Sequence, residues 1–195
     1  MRRLAAKGID PKRDAVPDEE QRAFTAVIVE EYFKRTRAAV KAFDPGLLYL
    51  GCRFAGHARP WAIGSCAKYC DVVSYNLYRD AIDAWRLPQQ LDAPVLVGEF
   101  HYGAHDRGLF GAGLLNKGSQ QGRAAALKRY VESALANPQV VGVHWHQFSD
   151  QATSGRFDGE CFQVGWTDIC DRPYAETVET LRSIDIYRER MTGKK

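Results

Sequence analysis

The sequence predicts an α/β fold with a parallel sheet, in which four strands alternate with helices. Four apolar runs, at 47–54, 71–78, 94–99 and 140–148, are separated by segments with helical spacing or turn residues. Each run ends in charged, amide or aromatic side chains, which is typical of the C-terminal edge of a parallel sheet. Because four strands cannot close an eight-stranded barrel, the pattern indicates either half of a (β/α)8 barrel or a small open sheet.

A long helix is predicted to follow an irregular start. Residues 1–17 are polar, contain prolines and show no sustained period. Asp18 then offers a helix N-cap with Gln21 three residues later, which is the spacing of a capping box. Apolar residues recur at helical spacing from Phe24 to Phe43, and Asp44-Pro45-Gly46 ends the pattern. We therefore expect an amphipathic helix here, with its apolar face buried.

The later connections between strands differ in the strength of their pattern. A short helix is expected near 61–69, a weak helical segment near 81–90, a strong helix at 119–136 and a last helix at 174–184. Residues 101–118 contain five glycines and are predicted to form a loop. Loops of that length are uncommon unless they are functional or mobile.

The strand over 94–99 offers the clearest candidate for chemistry. Its apolar run suits a strand covered on both faces, and it ends in Gly98 and Glu99, with His101 close behind. A carboxylate at the C-terminal end of such a strand lies where barrels and open α/β sheets place reacting groups. The alternative is a structural acid that caps a neighbouring helix or pairs with an arginine.

Composition and motifs exclude several classes of function. The net charge is +3 and the basic residues are scattered, so no nucleic-acid surface is predicted. No stretch approaches the roughly 20 apolar residues of a membrane helix, and the two arginines near the start precede no signal-peptide segment. Phosphate-binding glycine motifs and a GxSxG elbow are also missing from the sequence. We therefore expect neither nucleic acid nor a membrane as a partner, whereas the location of the protein stays open.

The five cysteines are predicted to be free thiols. Their number is odd and no two form a CxxC pair, which argues against a disulfide framework and against a structural zinc site. Cys66 and Cys70 are four residues apart and share one face of a helix, where cysteines are most often small buried side chains.

The last strand allows two interpretations. His144 and His146 alternate with Trp145 and Gln147, so the two sets point to opposite faces. If the two histidines face the pocket, they could bind a metal ion as a pair. If Trp145 faces the pocket instead, it offers a surface on which a sugar ring stacks. In a regular strand these two interpretations exclude each other.

Glycoside hydrolysis is a further candidate, because aromatic side chains are dense near the strand ends and pyranose rings stack on such surfaces. The reaction needs two carboxyl groups, about 5 to 5.5 Å apart in retaining enzymes and farther apart in inverting ones. Glu99 is one of them, but no partner is obvious. Asp150 and Asp106 are expected to be rim acids that bind hydroxyl groups.

Several segments carry a joint pattern: Tyr49-Leu-Gly-Cys-Arg53-Phe54, Ala67-Lys-Tyr-Cys-Asp71-Val-Val-Ser-Tyr75-Asn76, Gly98-Glu99-Phe-His101-Tyr-Gly103-Ala104 with Asp106-Arg107-Gly108, and His144-Trp145-His-Gln147 with Asp150-Gln151 and Asp158-Gly-Glu160. Together they resemble the β-agarases of glycoside hydrolase family 50, from about residue 20 to 185. The resemblance implies a retaining glycosidase with a (β/α)8 TIM barrel. Strands five to eight and their helices would form 18–185, between an irregular segment at 1–17 and a polar tail at 186–195.

The resemblance also implies roles for individual residues. Glu99 matches the nucleophile after strand seven, and Trp145 matches the tryptophan after strand eight that floors the sugar site. The expected substrate-binding residues are Arg53, Tyr75, Asn76, His101, Trp145, Gln147 and Asp150. The implied substrates are agarose or agaro-oligosaccharides, cleaved at β-1,4 bonds without a metal or other cofactor. Family members are often secreted.

The first half of that barrel, with its acid/base glutamate, has no counterpart in the sequence. We expect the isolated chain to be inactive, because general acid catalysis contributes about 10²- to 10⁴-fold. A half barrel also leaves two bare strand edges, which are expected to pair with another chain. The alternatives are a non-catalytic carbohydrate-binding remnant and a metal-dependent hydrolase that uses His144 and His146.

Overall fold

The computed structural model describes residues 2–56 and 58–186, and the predicted α/β class is confirmed. Of the predicted tail at 186–195, all but Ile186 lies outside the described residues. The elements are α1 (Arg2–Ala6), α2 (Asp18–Phe43), β1 (Arg53–Phe54), α3 (Pro60–Tyr69), β2 (Val73–Asn76), β3 (Val95–Phe100), α4 (Gln120–Ala136), β4 (Val140–Trp145) and α5 (Ala175–Ser183).

The four strands form one parallel sheet in the order β1-β2-β3-β4. Each strand therefore lies beside its neighbour in the sequence, and all four C-terminal ends meet at one edge. The ladder is irregular near that edge, between Tyr75 and Asn76 and again between Val97 and Phe100. Gly98 and Glu99 occupy the second irregularity.

Helices cover one face of the sheet. Val73 and Val95 pack against Phe33 of α2 and against Ile63 and Cys66 of α3. The second core cluster joins Val97, Phe100 and Val140 of the strands to Leu127 and Tyr130 of α4. In a doubly wound sheet helices would cover both faces, whereas strands in chain order with helices on one face are typical of a barrel wall.

The opposite face of the sheet carries Arg53, Ser74 and Leu96. A Cβ placed on Gly98 would meet Arg53 and Ser74, and one placed on Gly142 would meet Leu96, so these positions share one side. Neither core cluster of the described residues lies on this side.

The first strand is shorter than the predicted run at 47–54, because only Arg53 and Phe54 join the ladder. Gly51 has a φ of 64°, a conformation that ends extended backbone just before them. Tyr49 instead contacts the segment before β2. Its amide donates to Asp71 Oδ2 at 2.7 Å and its carbonyl accepts from the Asp71 amide at 2.9 Å.

The predicted helical segment at 81–90 is wrong, since only a 3₁₀ turn forms there, at Pro88–Gln90. Proline removes a backbone donor and disfavours helix in the residue before it. Gln89 and Gln90 also have positive φ values, which an α-helix does not allow.

The α2 helix forms as predicted, but its details differ. Pro17 occupies the N-cap position without a side-chain hydrogen bond, and Asp18 is the first helical residue. Phe33 is buried, whereas Phe24 and Val27 on the predicted core face stay 63% and 59% exposed. The apolar face of α2 therefore packs against the core over only part of its length. The short α1 helix lies within the segment that was expected to be irregular.

No helix in the described ranges combines the length and the apolar character that crossing a membrane requires.

Candidate active site

Glu99 lies at the polar edge of the sheet because of the irregularity in β3. Val97 and Phe100 both belong to the core under the helices, although strict alternation would place them on opposite faces. The extra residue between them turns Glu99 toward the neighbouring strand, where its backbone pairs with Asn76. A local bulge is a common way to redirect a side chain at a functional edge.

The Glu99 carboxylate is held at both oxygens. Asn76 Nδ2 donates to Oε2 at 3.0 Å, and Arg53 Nη2 lies 3.1 Å from the same oxygen. The Tyr78 hydroxyl donates to Oε1. The Glu99 side chain is 15% exposed, so these donors replace much of the water that a surface carboxylate would bind. The carboxylate thus has a fixed orientation, because one donor comes from β1 and two come from the end of β2.

Gly98 makes the approach of Arg53 possible. A Cβ at this position would lie 2.4 Å from Arg53 Cδ and 2.8 Å from Ser74 Oγ. Because Gly98 has no side chain, Arg53 can extend from β1 past β2 to β3, where its Nη1 donates to the Gly98 carbonyl at 3.1 Å. The same guanidinium then reaches Glu99.

Tyr78 is the site residue that the sequence did not single out. It follows the end of β2, and the only available signal was its position as the last residue of the apolar run at 71–78. Burial, together with the hydrogen bond to Glu99 and the charges of Glu99 and Glu160, raises the pKa of its hydroxyl. The hydroxyl therefore stays protonated and donates.

His101 is buried beside Tyr78, and its ring is not among the donors to the Glu99 carboxylate within the described residues. Its ring lies edge-on to Tyr78 at 4.8 Å between centroids and stacks on His146 at 5.9 Å. Its Nε2 accepts a hydrogen bond from the Leu114 amide at 2.9 Å. Burial and the charge of His146 lower the pKa of His101 to about 4, so the ring is neutral near pH 7.

Tyr75 and Trp145 lie on the helix side of the sheet. Tyr75 follows the alternation of β2 and packs against Phe54 and Trp85, at 5.9 and 5.5 Å between ring centroids. Trp145 packs against Phe100 at 5.2 Å and donates from Nε1 to the Val164 carbonyl at 2.7 Å. The structure therefore brings Arg53 and Asn76 to Glu99, as expected from the sequence, but not these two aromatic residues.

Gln147 and Asp150 form their hydrogen bonds with groups other than Glu99. Gln147 Nε2 donates to the Ser149 carbonyl at 2.8 Å. Asp150 is only 6% exposed, and its carboxylate accepts hydrogen bonds from the Gly165 amide and the Tyr174 hydroxyl. Burial raises the pKa of Asp150. This acid holds the loop after β4 against the start of α5, so it does not present its oxygens at the rim.

Asp106 caps a helix. Its carboxylate accepts from the backbone amide of Gln120 at 2.8 Å and from the Gln120 side chain at 3.0 Å. Because Gln120 is the first residue of α4, these contacts satisfy free donors at a helix N-terminus. Neither Asp106 nor Asp150 is thus turned toward Glu99 as its carboxyl partner.

The two histidines of the last strand do not form a metal pair. His144 is exposed, while His146 stacks on His101 beyond the end of β4. Across the part of the chain that the structure describes, no three His, Cys, Asp or Glu side chains lie close enough together to bind one metal ion.

A buried arginine anchors the loop that follows β4. Arg123 of α4 donates to the Tyr102 carbonyl at 3.0 Å, to Gln120 Oε1 at 2.6 Å and to the Gly165 carbonyl at 2.6 Å. Farther along this loop, Glu160 accepts from Gln151 Nε2 at 2.8 Å and lies 3.2 Å from Arg156. Glu160 is a second carboxylate whose field reaches Tyr78.

Known proteins are similar to this chain in sequence and in fold. No protein-family model matches the chain. Over 164 residues it is 41% identical to β-agarase B of Vibrio sp. (strain JT0107), and the match covers 80% of this chain and 17% of the relative. The solved structure of an exo-β-agarase is 38% identical and superposes with a TM-score of 0.83, over 94% of this chain and 26% of that one. The structure of PfGH50B is 37% identical with a TM-score of 0.80, over 85% and 24%. The chain thus spans less than a fifth of the curated relative's length.

Proposed function

We propose that this chain, which is similar in sequence and fold to part of the β-agarases of glycoside hydrolase family 50, carries the nucleophile side of a retaining glycosidase site. The observation that supports this best is the Glu99 carboxylate, held by Arg53, Asn76 and Tyr78 at the C-terminal edge of the sheet. The proposed substrate is agarose or an agaro-oligosaccharide, cleaved at a β-1,4 bond.

In the proposed reaction a Glu99 oxygen attacks the anomeric carbon of the sugar, and the bond to the leaving oxygen breaks as the new ester bond forms. A water molecule then hydrolyses this glycosyl ester and returns Glu99 as a carboxylate. The donors around Glu99 fix the direction of its lone pairs before substrate arrives. Tyr78 and Asn76 bond to different oxygens, so together they prevent rotation of the carboxylate.

The acid/base carboxyl is proposed to lie on a complementary half barrel. Asp106 and Asp150 already accept hydrogen bonds from Gln120 and Tyr174, away from Glu99. Without an acid the leaving oxygen would depart unprotonated, which costs about 10²- to 10⁴-fold in rate. Three observations support the half-barrel assignment. The strands follow chain order in the sheet, helices cover one of its faces, and the chain matches only 17% of β-agarase B.

We further propose that the two sheet edges pair with another polypeptide. The segment that leads into β1 carries exposed apolar side chains, with Leu48 67% and Leu47 46% exposed. At the β4 edge Val141 is 54% exposed. Within the described residues β1 and β4 are the outer strands of the sheet, and apolar surface next to a sheet edge favours association. Closure into a barrel would pair both outer strands at once.

The test is complementation. The purified chain alone is expected not to hydrolyse an agaro-oligosaccharide, and hydrolysis should appear when the preceding segment of β-agarase B is added as a separate polypeptide. The matched control is Glu99→Gln in the same mixture, which should associate equally well and stay inactive. Hydrolysis by a purified monomer would contradict the proposed division of the site.

The same experiment separates the other candidate functions. A complex that binds the oligosaccharide but never cleaves it would favour a non-catalytic carbohydrate-binding remnant. Loss of activity on addition of a chelator, with Glu99→Gln still active, would favour the metal-dependent hydrolase.

A further inference from the structure

Cys66 and Cys70 lie with their sulfur atoms 3.4 Å apart at the C-terminal end of α3. Both are free thiols. Cys70 is the first residue beyond the helix, with extended backbone angles of φ −96° and ψ 148°. Four steps of 1.5 Å along a helix separate the two Cα atoms by about 6 Å. Disulfides span Cα distances of roughly 4.4 to 6.8 Å, so the Cα spacing lies within their range. The Cβ atoms of residues four apart in a helix are about 5 to 6 Å apart, so closing the bond requires them to approach by about 1 to 2 Å at this helix end.

The two thiols differ in their surroundings. Cys66 is fully buried, whereas Cys70 is partly exposed. The hydrogen bond between them, with burial, raises the pKa of Cys66. The same hydrogen bond, with help from the positive charge of Arg37, lowers the pKa of Cys70 against the effects of burial and of Asp71. Cys70 is therefore the accessible thiol with more thiolate character, and Cys66 is the protected one beside it.

We propose that Cys66 and Cys70 form a redox-active dithiol, which closes to an intramolecular disulfide when a peroxide oxidises Cys70. In the first step the Cys70 thiolate attacks a peroxide oxygen, forming a sulfenic acid and releasing hydroxide. In the second step the Cys66 sulfur attacks the Cys70 sulfur and displaces hydroxide, which leaves as water with the proton of Cys66. Two thiols and one hydrogen peroxide thus give one disulfide and two waters.

The dithiol lies directly under the segment that leads to β1. A Cβ placed on Gly51 would lie 2.4 Å from the Cys70 sulfur and 3.2 Å from the Cys66 sulfur, so the backbone packs on both thiols. Two residues later comes Arg53, which contacts Glu99. The proposed modification site is therefore next to the segment that positions a residue of the candidate active site, although it belongs to a different face of the fold.

The test is oxidation of the folded chain with hydrogen peroxide, followed by blocking of free thiols, trypsin digestion and mass spectrometry. Trypsin places the three neighbouring cysteines on separate peptides, because it cleaves after Lys41, Arg53, Lys68 and Arg79. The expected product is peptide 54–68 joined to peptide 69–79, with the bond removed by dithiothreitol. A bond from peptide 42–53, which carries Cys52, would overturn the pairing.

The variants Cys66→Ser and Cys70→Ser give the matched controls. Cys66→Ser should leave Cys70 oxidised without a disulfide, and Cys70→Ser should leave Cys66 reduced, because the buried thiol does not reach the oxidant. Cys52→Ser should leave the disulfide unchanged. If Cys70 in the natural chain gains oxygen while Cys66 stays a free thiol, the proposal is overturned.

Discussion

The Tyr78 hydroxyl donates a hydrogen bond to Oε1 of Glu99, while Asn76 from the same strand end donates to Oε2 at 3.0 Å. Asn76 and Tyr78 both follow the irregularity in β2, and Glu99 lies within the irregularity in β3. The orientation of the carboxylate is therefore set by two neighbouring strands together. Substitutions at Tyr78 and Asn76 should therefore alter the orientation of the Glu99 carboxylate and leave the Glu99 backbone in place.

Tyr78→Phe should slow the reaction of Glu99 with an activated glycoside by roughly tenfold or more. Hydrogen bonds to charged groups contribute about 1.5 to 3 kcal/mol, and without this one the carboxylate keeps its donors only at Oε2. The measurement is the rate constant for covalent labelling, followed by mass spectrometry. Tyr75→Phe is the control, since that ring packs on the helix side of the same strand, and an equal effect of both variants would contradict the assignment.

Gly98→Ala should displace Arg53 from Glu99 and lower the free energy of unfolding by about 1 to 3 kcal/mol, the range for overpacking. The cause is the 2.4 Å distance between the added Cβ and Arg53 Cδ. Urea denaturation measures the change. Gly64→Ala in α3 is the control, because its Cβ has room and alanine favours helix, so it should leave stability unchanged or raise it.

Arg123→Met should destabilise the fold by about 3 kcal/mol or more, because it leaves the buried Tyr102 and Gly165 carbonyls without their donor. The exposed Arg129 lies on the same helix, and Arg129→Met should change the free energy of unfolding by less than about 0.5 kcal/mol. Equal effects of the two substitutions in urea denaturation would show that the buried guanidinium is not an anchor.

His101 should make the fold sensitive to mild acid. Its pKa is lowered from 6.5 to about 4, so the fold favours the neutral ring. The stabilisation from this preference is complete above pH 6.5 and is lost as the pH falls toward 4. The shift corresponds to about 3 kcal/mol. The nearby charges of His146 and Arg123 favour the neutral ring, and that of Glu99 opposes it.

The measurement for His101 is the free energy of unfolding of the natural chain and of His101→Gln at pH 7 and pH 4.5. Carboxyl groups titrate in both proteins, so the difference between the two pH dependences isolates the histidine. The natural chain should lose more stability than the variant, and parallel curves would be inconsistent with a buried neutral His101.

The sequence predicted the features that depend on local pattern. The alternation of strands and helices, the parallel order and the place of Glu99 at a strand end all follow from apolar periodicity, and Arg53 and Asn76 lie beside Glu99 as expected. The orientation of Trp145 could not be read in this way, because the bulge in β3 and the packing of Phe100 decide which face it takes.

Long-range contacts explain the remaining differences. Asp150 is buried because Tyr174, 24 residues later, donates to it, and no local signal indicates that partner. Tyr78 lies beyond the regular end of β2, where alternation no longer predicts the direction of a side chain. The early end of the predicted strand before Arg53 depends on the positive φ of Gly51, which the sequence allows but does not require.

Covalent trapping of Glu99 tests its role as the nucleophile most directly. A 2-deoxy-2-fluoro-galactoside with a dinitrophenolate leaving group needs no general acid for its departure, and the fluorine slows hydrolysis of the ester that forms. One sugar per chain should attach to the peptide that contains Glu99, and Glu99→Gln should take up no label. Labelling at another carboxylate, or no labelling of a chain whose circular dichroism shows it to be folded, would contradict the assignment of Glu99 as the nucleophile.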